Sequence, residues 1–278
     1  MIDTQSHIKL CIEEDIREED HSGAACIPKN AISRAQLLIK DEGIISGIKV
    51  AKQVFNAIDP NLKFDQFIHD GDSIKFGDIA FNISGSARNI VKAERLALNY
   101  MQRMSGIATT TDVYVKAIEG TSTTILDTRK TSPGLRTFEK LAVTHGGGEN
   151  HRYGLYDMIM IKDNHIDFAG GIENAMDSTQ DYLKANNLDL KVEVEARDLN
   201  EVKTILKNGK ADRIMFDNFS FEDTKTGVEL VAGKMETESS GGITLDTIRG
   251  YAECGVDYIS VGALTHQINS LDMSLKAY

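Results

Sequence analysis

Between Asp127 and His165 the chain reads DTRKTSPGLRTFEKLAVTHGGGENHRYGLYDMIMIKDNH. Six basic residues (Arg129, Lys130, Arg136, Lys140, Arg152 and Lys162) stand there against five acidic ones. The whole chain carries a formal net charge of −11, so this segment, at +1, is a cationic stretch in an acidic protein. Such a stretch suits a small polyanion, whereas nonspecific nucleic-acid binding needs a basic face that this composition does not supply. Arginine presents a planar fork matching a carboxylate with two parallel hydrogen bonds, and lysine presents a point charge suited to phosphate. Arg129 and Lys130 follow an apolar run, with Pro133 and Gly134 enforcing a turn. His151 and Arg152 follow Gly146-Gly147-Gly148, a run expected to let backbone approach a ligand, and Lys162 ends the run MIMI. Taken singly, each basic residue reads equally well as half of a surface ion pair with Glu139, Glu149 or Asp163. Taken together, three cationic sites from separate elements are explained most economically by one shared ligand.

The acidic candidates lie further on. Glu193 and Glu195 alternate with Val192 and Val194, which places both carboxylates on one face of a strand. Inward-facing carboxylates are costly unless a cation or hydrogen bonds meet them, and carboxylates combined with substrate phosphates are the usual way to hold magnesium. For Glu193, a salt bridge to an inward Lys or Arg is preferred over metal ligation. Ser239-Ser240-Gly241-Gly242 stand ahead of a helix expected from about Thr244, an arrangement that offers bare N–H groups to an anion or serves simply as a loop. His145, His151 and His165 lack short HxxxH spacing and have no cysteine beside them, so zinc is not expected. His151 is read as a hydrogen-bond donor to an anion. His7, His21 and His69 are expected to be exposed and inert, and the methionines of NYMQRM and MIMI to be core.

These residues need elements to hold them. Apolar positions in Gly47–Ile58 recur with helical spacing, and a second, broader stripe predicts a helix from about Ser86 to Met104. Strand-like runs lie at 35–40, 63–68 and 79–83, separated by turn signals at 69–72 and 76–78. From about Thr123 a unit repeats in which a short apolar strand ends in polar residues and a helical stretch follows. Its strands are expected at 123–130, 157–165, 191–196, 211–218 and 255–263. Continuous apolar runs such as MIMI and YISV suit parallel strands covered on both faces, so a parallel α/β barrel or a doubly wound sheet is expected.

At 278 residues, 41% hydrophobic and 26% charged, the chain has the composition of an ordinary globular protein. No window approaches the ~18 uninterrupted apolar residues of a membrane span, and the acidic start lacks the pattern of a secretory signal. Cys11, Cys26 and Cys254 are widely spaced and odd in number, which suits reduced, buried thiols in the cytoplasm rather than a disulfide framework.

The motifs DTRKTSPGLR, GGGENHR and IKDNHI resemble the signature of the quinolinate phosphoribosyltransferases. The similarity extends upstream to RMSGIATTT (103–111). It continues downstream through VEVE (192–195), IMFDNFS (214–220), the stretch 239–266 and LDMSL (271–275). It covers roughly residues 86 to 275, and residues 1 to 85 match more loosely. The resemblance implies an N-terminal α+β sandwich domain over 1–112, joined by the segment 271–278, and an incomplete parallel α/β barrel over 113–270. It implies transfer of a phosphoribosyl group to quinolinate with decarboxylation, with magnesium as cofactor. Arg129, His151, Arg152 and Lys162 then correspond to the quinolinate pocket, with Lys130 between that pocket and the sugar phosphate. Arg103 corresponds to an arginine that reaches the site from the partner subunit of a homodimer. Glu195 and Asp217 correspond to the carboxylates for the ribose hydroxyls and magnesium, with Lys130 beside them in catalysis. Ser240, Gly241, Gly242, Val261, Gly262 and Ala263 correspond to phosphate-cradling loops, with His266 nearby. Two other readings stand beside this one: a molybdenum-uptake-linked paralogue of the same fold, and a noncatalytic anion-binding barrel. The set DTRKT, NHR and IKDNH favours the quinolinate enzyme over the first. Retention of both Glu195 and Asp217 argues against the second.

Overall fold

The alternation of inward apolar and outward polar side chains in the first third of the chain closes on an antiparallel sheet. In the computed structural model, which describes residues 3–278, the strands are β1 (Ile32–Ile39), β2 (Gly43–Ile44), β3 (Lys63–Gln66), β4 (Ser73–Ile74), β5 (Ile79–Ser86), β6 (Thr124–Leu126), β7 (Ile159–Ile161), β8 (Val192–Ala196), β9 (Arg213–Asp217), β10 (Glu236–Ser240), β11 (Tyr258–Ser260) and β12 (Met273–Ala277). They fall into two compact units. The first comprises the chain up to Asp112 together with Thr131–Gly147 and Leu264–Tyr278, and the second comprises Val113–Lys130 and Gly148–Ala263.

In the first unit the sheet order is β12-β1-β5-β3, all antiparallel, so the last strand of the chain pairs with the first. Ala35, Leu37 and Ile39 of β1 point inward at period two. The helix Ile48–Ile58 buries Ile48, Val50, Ala51, Val54 and Phe55, as its spacing predicted. It starts after Gly47, whose φ of 98° is left-handed, and Asp70 takes the place of a cap by accepting from the amides of Ile48 and Lys49 at 2.8 and 3.3 Å. The second predicted helix runs much further than expected, from Ala87 to Ala117. Its extension, SGIATTTDVYVKA, has poor intrinsic propensity, and burial carries it instead: Ile107, Ala108 and Thr111 are fully enclosed. The hydroxyls of Thr110 and Thr111 donate back to the carbonyls of Gly106 and Ile107 at 2.9 and 2.8 Å, so neither is stranded.

The second unit is a six-stranded parallel sheet in the order β6-β11-β10-β9-β8-β7. From β7 to β11 the order follows the chain, and β6 joins beyond β11. Among the described residues β6 and β7 are not ladder partners. Leu126 of β6 instead bridges Glu149, whose amide and carbonyl bond Ile125 and Asp127. The first unit is therefore a small antiparallel domain and the second an incomplete parallel barrel, which is the expected fold class. Five of its strands fall where the sequence placed them. The sixth, β10, was not foreseen because its residues ETESS contain no apolar side chain.

Three further expectations are corrected. None of the cysteines is buried: Cys26 is exposed, and Cys11 and Cys254 are partly so. His7 is not inert, since its Nδ1 lies 2.7 Å from the Tyr100 hydroxyl and its ring packs on Phe138 at 5.0 Å. Gly146 serves packing, because a Cβ there would strike the carbonyl of Ala108 and the side chain of Thr111 on the long helix. No described helix is long and apolar enough to cross a membrane.

A Cβ at Gly106 would collide with the backbone carbonyl of Asn269, which no side-chain rotation relieves. Gly106→Ala is therefore expected to destabilise the protein by roughly 1–3 kcal/mol, the range for overpacking. Equilibrium denaturation in urea checks this, and an unchanged midpoint would show that the loop at Asn269 yields freely.

Candidate active site

The six parallel strands present their chemistry at one end. Arg129 and Lys130 follow β6, Lys162 follows β7, Glu195 is next to last in β8, Asp217 ends β9, and Ser240 ends β10. Val261, Gly262 and Ala263 follow β11. Parallel α/β barrels carry their reactive groups on this face because the loops there vary freely while the strands beneath stay rigid.

Glu195 and Asp217 stand on neighbouring strands and feel one another. Burial raises the pKa of Glu195, and the charges of Asp217 and Asp163 push the same way, while Lys162 opposes them by donating from Nζ to Oε2 at 3.0 Å. Asp217 is held from the other side by Asn218, whose Nδ2 donates to Oδ2 at 2.8 Å. Asn218 has φ 56°, in the left-handed region that Asn tolerates better than most residues, and its amide donates to the Ser240 carbonyl at 2.9 Å. That backbone brings its side chain against Gly241, where any Cβ would collide with the Asn218 amide group and where φ is +97°. Gly241 is thus required by both space and conformation. Next to it, Ser260 donates to Ser240 Oγ at 3.0 Å, and the helix Leu245–Glu253 begins after Thr244 as predicted. Asn218 escaped the sequence reading, although an Asn directly after a strand-terminal Asp was a usable signal.

The arginines form a second cluster. Arg152 is half-buried and donates from Nη1 to the Met158 carbonyl at 3.3 Å. Burial first, and the neighbouring Arg129 charge second, lower its pKa, whereas Glu193 and Asp157 oppose them. A half-buried guanidinium that feels a second, exposed one is an arrangement able to take a ligand with two carboxylates. Lys130 is exposed, and its amide donates to Thr128 Oγ1 at 3.0 Å.

His151 is placed differently from a pocket-lining donor. Its ring is 4% exposed, and Nε2 faces Glu193 Oε2 at 3.0 Å and Glu238 Oε2 at 3.2 Å. Its Nδ1 accepts the Arg152 amide at 2.6 Å, and its own amide donates to Asp127 Oδ1 at 2.9 Å. The partner expected for Glu193, an inward Lys or Arg, is therefore this imidazole. Arg213 lies just beyond and binds Glu238 Oε2 at 3.0 Å. Burial alone would lower the His151 pKa, and the two carboxylates outweigh it, pushing it up to about 9. Burial and the Glu238 charge raise Glu193 to about 7. The Arg152 amide pointing at Nδ1 and the carboxylates at Nε2 place the first ring proton on Nε2; the carboxylates favour a second proton, which the Nδ1 contact opposes. His145 and His165 are elsewhere: His145 Nδ1 meets Ser46 Oγ at 2.7 Å in the first unit, and His165 Nδ1 accepts the Lys162 amide at 2.9 Å.

Arg103 and His266 belong to the first unit, and the other candidates to the second. Arg103 donates from Nε and Nη2 to Glu139 Oε1 at 3.0 and 2.6 Å, and from Nη2 to Ser132 Oγ at 2.8 Å. Its guanidinium is thereby fixed by a fully buried carboxylate. His266 is exposed.

An open parallel barrel with paired carboxylates, glycine loops and clustered arginines at its strand ends defines a barrel enzyme acting on anionic substrates. Comparison with known proteins makes this specific. Residues 107–276 match the C-terminal domain of quinolinate phosphoribosyl transferase, and residues 20–105 match its N-terminal domain. The chain is 45% identical over 289 aligned residues to the chloroplastic nicotinate-nucleotide pyrophosphorylase (carboxylating) of Oryza sativa subsp. japonica, covering 99% of this chain and 77% of that one. It is 40% identical to the probable enzyme of that name from Bacillus subtilis, covering 87% and 82% of the two. The crystal structure of NadC from Streptococcus pyogenes superposes with a TM-score of 0.93 at 38% identity, covering 97% of this chain and 94% of that one. The chain belongs to the quinolinate phosphoribosyltransferase family.

The buried cluster makes a pH prediction. The pKa of Glu193 is raised from its ordinary value of 4.5 to about 7, so the folded state holds a proton that the unfolded state releases. That contribution is complete below pH 4.5 and is lost as pH rises through about 7. Glu193→Gln, which mimics the protonated form, is therefore expected to gain in melting temperature relative to the wild type between pH 5 and pH 8, by about 3 °C or more. A difference between the two proteins that stays constant with pH would refute the assignment.

Proposed function

We propose that the chain transfers the phosphoribosyl group of phosphoribosyl pyrophosphate to the ring nitrogen of quinolinate. Pyrophosphate and carbon dioxide leave, and nicotinate mononucleotide remains for NAD synthesis. The observation that carries this reading is the division of one strand-end face into two charged halves. One half, Arg129 and Arg152, fits a planar dicarboxylate. The other, Glu195, Asp217 and the glycine loops after β10 and β11, fits a sugar diphosphate with its cation.

The chemistry asks for positioning and charge rather than a covalent enzyme intermediate. Arg129 and Arg152 hold the two carboxylates so that the ring nitrogen faces the anomeric carbon. Ser240, Gly241, Gly242, Val261, Gly262 and Ala263 offer backbone N–H groups to phosphate at loop and helix starts. Lys130 serves between the two substrates, and Lys162, now paired with Glu195, is within reach of either. Loss of pyrophosphate develops positive charge on the ribose, which the Glu195 and Asp217 carboxylates stabilise. Once the ring nitrogen is bonded to ribose it is a pyridinium, which accepts the electron pair released as the adjacent carboxylate departs as carbon dioxide. A proton then replaces it on the ring carbon.

Glu195 and Asp217 fit magnesium: they are hard oxygen donors on adjacent strands, and their mutual repulsion is what a divalent cation relieves. When bound, magnesium supplies charge neutralisation for the diphosphate. His151 serves this site from behind, as an anchor for Arg152, rather than as a direct ligand of the acid. Arg103, pre-oriented by Glu139, serves the partner's site in a homodimer, and His266 lies one residue from the Thr265 carbonyl that Arg103 also contacts. The cytoplasm is the proposed location, and three free cysteines suit a reducing compartment.

One incubation with quinolinate, phosphoribosyl pyrophosphate and magnesium, following carbon dioxide and nicotinate mononucleotide, tests the reaction. Replacing quinolinate by nicotinate is expected to abolish turnover, because the arginine pair loses one carboxylate. Arg152→Ala is expected to raise the KM for quinolinate by roughly a hundredfold, the scale of a lost pair of charge-assisted hydrogen bonds, while the KM for phosphoribosyl pyrophosphate stays within about threefold. Equal increases for both substrates would sink the role given to Arg152.

A further inference from the structure

β10 is the one barrel strand without apolar residues, and Glu238 at its centre is completely buried. Its Oε2 receives Arg213 Nη1 at 3.0 Å and faces His151 Nε2 at 3.2 Å. Glu193 approaches the same Nε2 at 3.0 Å from β8. Among the described residues, both oxygens of Glu193 and Oε1 of Glu238 lack an aligned hydrogen bond, so the approach of Nε2 to Glu193 is a close ion-pair contact. Two enclosed carboxylates, each incompletely satisfied, are an expense that a barrel interior rarely carries without a use.

A metal is one use, since the three ligand atoms lie within 4.8 Å of one another. The surroundings argue against it. Arg213 already supplies a cation to Glu238, is itself held by Glu236 at 3.1 Å, and lies 3.9 Å over the Tyr258 ring. A divalent ion beside that guanidinium would meet repulsion where the present arrangement has charge balance.

The other use is visible in what the imidazole touches. Nε2 is gripped by the carboxylates, Nδ1 takes the amide of Arg152, and the His151 amide is tied to Asp127, two residues before Arg129. His151 thus joins the Arg152 amide, through its ring, to the Asp127 carboxylate, through its own amide. Those arginines repel each other, so their spacing must be imposed from outside. We propose that Glu238 is a positioning residue for the dicarboxylate site: acting through His151, it fixes Arg152 against Arg129 and so sets affinity for quinolinate. This rests on the assignment of the two arginines to the acid.

Glu238→Gln keeps the shape and an acceptor for Nε2 but weakens the grip of the pair on the ring. It is expected to raise the quinolinate KM by roughly tenfold or more, as misplacement of a binding group does, with the KM for phosphoribosyl pyrophosphate within about twofold. A purely structural role would lower the melting temperature without separating the two constants. Should Glu238→Gln not fold, His151→Asn, which keeps a donor but loses the clamp on Arg152, is expected to show the same split. Equal rises for both substrates, or no rise, overturn the proposal. So does a stoichiometric divalent metal in the purified protein that is absent from Glu238→Gln. Arg152→Ala assayed in parallel separates the two levels. If it loses quinolinate while Glu238→Gln does not, the anchor alone fails; if it spares quinolinate, the acid-site assignment fails and the anchor with it.

Discussion

Charge buried inside the second unit must be answered inside it, and much of that unit's construction follows from this. Glu193 and Glu238 sit where water cannot share their charge, so Arg213 and His151 are brought to them from other strands and loops. This explains a strand as polar as β10 at the centre of a parallel sheet: its side chains are held by partners rather than by apolar packing. Thr237 follows the same rule, since its amide and hydroxyl both donate to Asp257 at 2.8 Å. Removing one member of such a network leaves an uncompensated charge, so the whole set is kept or lost together.

At the strand ends the same accounting is left open. Lys162 covers one oxygen of Glu195 and Asn218 one oxygen of Asp217. Glu195 nonetheless remains raised by burial and by the acids around it. The interior acids are thus met by a guanidinium and an imidazole, whereas the rim acids are met by one lysine and one amide and keep more of their charge open. A site that must bind and release charged ligands needs such a gradient, because fully satisfied groups gain nothing from a substrate and unsatisfied buried ones unfold the barrel.

The readable part of the sequence was what depends on periodicity or on rigid chemistry. Apolar runs such as IMI and YIS located parallel strands, short strand-like runs between turn signals located β1, β3 and β5, and the basic and glycine motifs marked the strand-end face. The obscure part was what depends on partners distant in sequence. ETESS reads as a loop until Arg213, His151 and Asp257 are placed around it. The long helix outran its propensity because buried contacts carried it, and His7 found Tyr100 and Phe138 from ninety or more residues away. His151 stood out by its setting after the glycine run, but which groups its two nitrogens would meet was not written locally.

The arginine pair shows why an anchored repulsion is useful. Burial and Arg129 together make the Arg152 charge less comfortable than it would be in water. On the proposed function, a dianion set between the two guanidiniums would relieve that discomfort and add forked hydrogen bonds, so part of its affinity would be stored in the protein before it arrives. A monocarboxylate relieves less and leaves one fork unfilled. Under the proposed function, discrimination between the two depends on the arginines being unable to drift apart, and His151 ties the Arg152 amide and the Asp127 side chain to the carboxylates beneath.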